Sequence, residues 1–131
     1  MKSAYLIILT PAEKGFVVHV PDLDLYTEGA DHVDAIEMAR DAIGLWGISE
    51  EDAGRTIPEG KIGSFECKED QISTLVDIDF DAYRRANDMR TVRKNVTLPS
   101  WLNTLAEKEG VNFSQVLQEG LKRRLHVPEA R

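Results

Sequence analysis

The chain reads as an α+β protein in two modules. The first runs strand, strand, strand, helix, strand; the second runs strand, helix, helix. Three observations predict this. Apolar residues recur with period two and then with helical period along the first 83 residues. A strongly alternating stretch, Arg90-Thr-Val-Arg-Lys-Asn-Val-Thr-Leu-Pro99, opens a second region with two helical patterns. The charge is also divided. Residues 1–83 hold 6 Lys/Arg against 18 Asp/Glu, a net of −12, and residues 84–131 hold 10 against 5, a net of +5. In a chain of 131 residues and net charge −7, that asymmetry implies two modules with different partners. The basic part suits a polyanion; the acidic part suits a cationic protein, or serves solubility alone.

Residues 4–9 (Ala-Tyr-Leu-Ile-Ile-Leu) are near-continuously apolar and predict a central strand. Pro11 and Gly15 punctuate a turn, and Phe16–Val20 is a second strand, so the two form a hairpin. Tyr26-Thr27-Glu28 reads as a short third strand. Asp31 is placed as an N-cap, with Asp34 and Glu37 early in the helix where negative charge suits the dipole. Val33, Ile36, Ala39, Ile43 and Trp46 recur at helical spacing as a buried stripe, and Gly44 and Gly47 weaken the helix end. Residues 48–70 read mainly as loop. Ile72–Asp79 is a fourth strand and Phe80–Asn87 a short helix. Boundaries follow at 1–86, a linker at 87–90, and 91–131.

In the tail, polar Arg93, Asn95 and Thr97 alternate with Val92, Val96 and Leu98, the period of a strand with one wet face. A guanidinium, an amide and a hydroxyl are the groups suited to reading base edges. A lone strand leaves its backbone edge open, and the same strand from a second copy closes it, giving a two-stranded ribbon for a DNA major groove. Pro99 sits at the first position of the next helix, where it has no N–H to lose. Leu102, Leu105 and Ala106 form that helix's apolar stripe, and Gly110 is its left-handed stop. Ser114 caps a second helix, with Leu117, Leu121 and Leu125 on one face. Gly120 costs this helix roughly 1 kcal/mol against Ala, which close approach of another backbone would compensate. About forty residues cannot bury a sufficient core alone, and interleaving two copies would solve this.

These residues (the strand Arg93–Pro99, the turn Gly110-Val-Asn-Phe-Ser114 and the leucines of the last helix) resemble the ribbon–helix–helix family of repressors over about residues 90–126. The resemblance implies base contacts at Arg93, Asn95 and Thr97. It implies a phosphate clamped at the start of the last helix, at Ser114 and Gln115, where helix N–H groups make an anion site. Lys94 stands where the family usually carries an apolar residue; its stem can pack while its charge reaches a phosphate.

The first module, through Gly15-Phe-Val-Val-His-Val-Pro-Asp-Leu23, the turn Thr27-Glu-Gly29, the following helix and Thr74-Leu-Val-Asp-Ile-Asp-Phe-Asp81, is similar to the HicB antitoxin family over about residues 4–83. Members usually carry Pro-Gly-Cys after Pro-Asp-Leu; here the chain has Asp24-Leu-Tyr26. That resemblance implies a partial RNase H-like domain, often followed by a DNA-binding module, and a partner of the HicA kind: a small, basic, RNA-cleaving toxin. Asp22, Asp24 and Glu28, with Tyr26 as an aromatic anchor, are the candidate toxin contacts. A solvated acidic loop would have the same composition.

Other chemistry is set aside. Asp77, Asp79 and Asp81 alternate and, with Asp22 and Asp24, could surround Mg²⁺, but such alternation is more often a polar sheet face. His19, His32 and His126 lie far apart in sequence, and Cys67 has no companion for a disulfide or a metal. No metal, cofactor or catalytic residue is expected. No apolar run reaches a signal or membrane length, so a cytoplasmic protein is expected. The expected function is an antitoxin that also represses its own operon, as a homodimer or homotetramer on operator DNA with inverted half-sites. The alternative is a free-standing repressor whose first domain senses a small molecule.

Overall fold

In the computed structural model, which describes residues 1–61, 63 and 65–128, the chain is mixed α+β with a four-stranded antiparallel sheet and four helices. It divides into two units, Met1–Arg90 and Thr91–Arg131. The first contains β1 (Lys2–Pro11), β2 (Phe16–Val20), β3 (Leu25–Gly29), α1 (His32–Asp52), β4 (Ile72–Asp79) and α2 (Phe80–Asn87). The second contains α3 (Ser100–Lys108) and α4 (Phe113–Arg124).

The sheet order is β3-β2-β1-β4, which puts the most apolar strand, β1, between β2 and β4. Side chains alternate across a strand, so the register decides what each face carries. Tyr5 pairs with Val76, and Ile8 with His19. One face therefore carries Tyr5, Ile7, Leu9, Val18, Val20, Val76 and Ile78, all buried. Helix α1 packs Ala35, Ala39 and Ile43 onto it. The opposite face carries Leu6, Ile8 and Thr10 of β1, Val17 and His19 of β2, Tyr26 and Glu28 of β3, and Leu75 and Asp77 of β4.

Local signals explain the start of α1. Asp31 accepts from the Asp34 N–H (2.8 Å) while Asp34 reaches back to accept from the N–H of Ala30, the residue before the cap (2.7 Å). The helix then runs past Trp46 to Asp52, through both glycines expected to weaken it. Gly44 and Gly47 are buried, and a Cβ at either would lie within 3 Å of the rings of Tyr83 and Phe80 respectively. They are the seats on which α2 packs. The expected stripe is corrected accordingly: Val33 is 66% exposed, because the buried face passes through Ala35, Ala39, Ile43, Gly44 and Gly47. In β4, Ile72 and Leu75 are exposed, and only Val76 and Ile78 among its apolar residues are buried.

The second unit has three corrections. Asn112, not Ser114, is the N-cap of α4, accepting from the Gln115 N–H at 3.1 Å. Pro99 is the N-cap position of α3, one residue before the helix, rather than its first helical residue. Gly110 has φ +66 and follows α3, the left-handed stop that its position suggested. The strand expected over residues 92–98 is absent from the single chain: residues 91–99 carry neither helix nor strand. A strand exists through its hydrogen-bonded neighbour, and a single chain supplies this segment with none.

Candidate functional site

The four acidic-loop candidates lie at the β2–β3 end of the sheet. Asp22 accepts from the Lys61 backbone N–H (2.8 Å), which ties the loop to the connection between α1 and β4. Asp24 has φ +51, a left-handed conformation in which aspartate is better tolerated than most residues. Its carboxylate lies 3.6 Å from His19 Nε2, an atom that is itself out of contact with solvent and makes no hydrogen bond. Tyr26 pairs with His19 across the β2–β3 ladder, and Glu28 with Val17. The His19 and Tyr26 rings stack with centroids 4.3 Å apart and planes 7° from parallel. Phe65 meets the His19 ring edge-on at 6.4 Å and 80°. Gln71 Nε2 donates to Thr10 Oγ1 (3.0 Å), so the described part of the connection touches this second face of the sheet at both ends. Ile8, also on this face, is only 2% exposed. Tyr26 remains 64% exposed, and Val17, Phe65 and Leu75 are exposed with it.

Sequence reasoning named Tyr26 and missed His19 and Phe65 as its supports. Period-two alternation put His19 and Tyr26 on a face, but only the register brings them opposite one another.

The acids set aside as a metal cluster have separate structural duties. Asp77 receives Arg40 on its backbone oxygen (2.9 Å) and its carboxylate (3.2 Å). Asp79 caps α2, accepting from Ala82 N–H at 3.1 Å. Among the described residues, no group of three His, Cys, Asp or Glu side chains is placed to hold a metal ion. Cys67 is exposed. No helix among the described residues is long and apolar enough to cross a membrane.

A second constellation closes the first unit. Arg90 donates to both oxygens of Asp88 (2.8 Å each) and to Asp52 (3.1 Å), and Arg84 also lies 3.0 Å from Asp52. The Arg90 guanidinium holds the Asp88 carboxyl well below the usual carboxylate range, through side-chain and backbone hydrogen bonds. The two carboxylates rim an open groove of about 540 Å³ whose apolar wall is Leu45, Ile48, Tyr83 and Met89. Tyr83 donates to Asp41 (2.8 Å). Burial first, and this bond second, push its hydroxyl up to about 12.

In the second unit, Arg93, Lys94, Asn95 and Thr97 are all exposed, as are Ser114 and Gln115 in the first turn of α4. Because Asn112 occupies the Gln115 N–H, the N–H groups of Phe113 and Ser114 are the ones the cap leaves for an anion. Not one residue from 91 to 128 is buried. The apolar stripe of α4, with Leu117, Leu121 and Leu125, is open, as are Leu102 and Leu105 of α3 and Val92, Val96 and Leu98 before it.

No family model matches the chain, and no curated protein matches it. Among solved structures, it is similar to a chain of a toxin–antitoxin complex from Streptococcus pneumoniae, with a TM-score of 0.57 and 18% identity over 95% of this chain and 99% of that one. An antitoxin HicB from Burkholderia pseudomallei aligns over 97% of this chain and 99% of its own at 18% identity, with a TM-score of 0.47, a likeness too loose to bear on the fold. At these identities the first likeness is one of fold: the α+β chain described above shares its architecture with a chain of a toxin–antitoxin complex.

Proposed function

We propose that this protein is the antitoxin of a HicAB-like pair and the repressor of its own operon. The acidic first unit binds and neutralises a small, basic, RNA-cleaving toxin. The basic second unit pairs with a second copy, laying residues 92–98 of both chains side by side as a ribbon. Arg93, Asn95 and Thr97 of each copy read base edges in inverted half-sites, while Lys94, the free N–H of Ser114 and the side-chain amide of Gln115 hold phosphates. Contacts between first units raise the dimer to a tetramer that spans neighbouring operator sites.

The observation that carries this reading is that none of the described residues of the second unit, 91–128, is buried, despite leucine stripes on α3 and α4. Apolar stripes without a core describe half of a folded object, and an identical half with the open segment 91–99 completes both sheet and core. The partner assignment is supported by the fold shared with a chain of a toxin–antitoxin complex and by the negative charge of the first unit.

Two measurements test it. The product of a small basic reading frame beside the gene should co-purify with the chain and lose its RNase activity in the complex. On DNA from upstream of the gene, Asn95→Ala should weaken specific binding by about 1–3 kcal/mol in a mobility-shift titration. Unchanged binding removes Asn95 from the base-reading set. A second reading, a free-standing repressor that senses a small molecule, draws on the groove lined by Leu45, Ile48, Tyr83 and Met89, whose volume is of ligand size. The absence of any adjacent small basic reading frame would favour it.

A further inference from the structure

The geometry points to a receptor for a cationic side chain, arginine above all, on the sheet face that α1 leaves uncovered, formed by the Tyr26 ring and the Asp24 and Glu28 carboxylates. This deepens the toxin-binding reading and rests on it for the identity of the partner: a basic polypeptide that presents a guanidinium flanked by apolar residues.

Three features converge. The first is the ring. One side of Tyr26 is backed by the nearly parallel His19 ring, and His19 is braced in turn by the edge contact with Phe65. Tyr26 is nevertheless 64% exposed, so the aromatic face turned away from His19 is presented to solvent on a supported platform. An aromatic face attracts a cation through its quadrupole, and a guanidinium can stack on it as well.

The second is charge. Glu28 lies two residues beyond Tyr26 on β3 and so on the same face; Asp24 lies two residues before it, with a side chain that is 85% exposed. Four carboxylates of this unit are neutralised by arginine: Asp77 by Arg40, Glu50 by Arg55, and Asp52 and Asp88 by Arg84 and Arg90. Among the described residues neither Asp24 nor Glu28 has a lysine or arginine partner; Asp24 has only His19 nearby. The platform is therefore flanked by negative charge that the chain itself leaves uncompensated.

The third is the apolar surround. Val17 stands opposite Glu28 in the register, and Phe65 stands beyond His19; both are exposed. An aromatic centre with an apolar neighbourhood and an acidic rim is the complement of an arginine set among apolar residues. His19 acts here as a positioning residue, holding Tyr26 flat.

The test uses the full chain, isotopically labelled, and a short acetylated and amidated Gly-Arg-Gly peptide, with the Gly-citrulline-Gly peptide as the isosteric neutral control. Amide resonances of His19 and residues 24–28 should shift with the arginine peptide and stay in place with citrulline. Tyr26→Ala should weaken the interaction by about two- to fivefold, the range for an exposed cation–π contact, and Tyr26→Phe should preserve it. His19→Ala should weaken it and His19→Phe, which restores a flat ring, should rescue it at an unchanged thermal midpoint. Equal shifts with both peptides, or shifts elsewhere on the chain, overturn the proposal. The two readings separate cleanly. If the chain captures the neighbouring basic protein while Tyr26→Ala binds it as tightly as wild type, this receptor is wrong and the antitoxin reading stands. If the arginine peptide binds at Tyr26 and no basic protein is captured, the receptor stands and the antitoxin reading falls.

Discussion

Replacing Gly47 by alanine tests how the first unit is packed. Built on the present backbone, the new Cβ would lie 2.3 Å from Phe80 Cε1, 2.6 Å from Phe80 Cδ1 and 3.2 Å from Ile57 Cδ1. Carbon atoms rest comfortably about 3.5–4.0 Å apart, so the Phe80 ring would have to retreat by more than roughly 1 Å. It has nowhere to go: Phe80 is 1% exposed and edge-on to Tyr5, with centroids 6.4 Å apart. Tyr5 is itself fully buried and anchored through its hydroxyl to the Pro58 carbonyl. Overpacking of this kind costs about 1–3 kcal/mol, with the upper half of that range appropriate to a ring that cannot swing aside. Alanine in a helix interior returns about 1 kcal/mol. The net loss is about 1–2 kcal/mol, which for a unit of this size lowers the melting temperature by about 4–16 °C. Thermal unfolding followed by circular dichroism at 222 nm measures this, with both proteins at one concentration because the proposed self-association would move the midpoint. A midpoint equal to or above wild type would refute the seating of Phe80 on Gly47 and, with it, the packing of α2 on α1.

Two further predictions separate the remaining features. Gly120 has open space where its Cβ would be in the single chain, so in an unpartnered α4 the change Gly120→Ala would stabilise the helix by about 1 kcal/mol. In the proposed dimer another backbone comes close there, and the same change should weaken self-association measured by sedimentation; unaltered association with a higher midpoint would refute that approach. Tyr83, pushed up to about 12 by burial and by its bond to Asp41, has a folded-state pKa above its unfolded value of about 10. Its contribution to stability is then complete below pH 10 and is lost as pH rises towards 12, so Tyr83→Phe should flatten the fall in stability across that window and remove the corresponding tyrosinate step at 295 nm.

The elements of the first unit were largely legible in the chain because each is announced locally. The hairpin is marked by Pro11 and Gly15 between apolar runs, α1 by the Asp31 cap with Asp34 early in the helix, and β4 by apolar residues before a short helix. Local chemistry also supplied Tyr26 and the acids around it. What it could not supply was anything that depends on two distant segments meeting. Gly44 and Gly47 looked like helix-weakening residues because a missing side chain leaves no mark in a hydrophobic pattern; only the arrival of Tyr83 and Phe80 makes those gaps into contacts. Val33 looked buried because periodicity locates a stripe but cannot say which edge of it faces the sheet. Between Asn112 and Ser114, two good capping residues two positions apart, backbone conformation decided for Asn112. The stacked pair of His19 and Tyr26, with Phe65 against it, arose from strand register and a crossing connection. The sequence by itself determined which residues are apolar, which turns are tight and where charge gathers, since those follow from side-chain chemistry and nearest neighbours. The tertiary structure alone decided which side chains share a surface, because proximity across the sheet is a property of register and packing that no local period encodes.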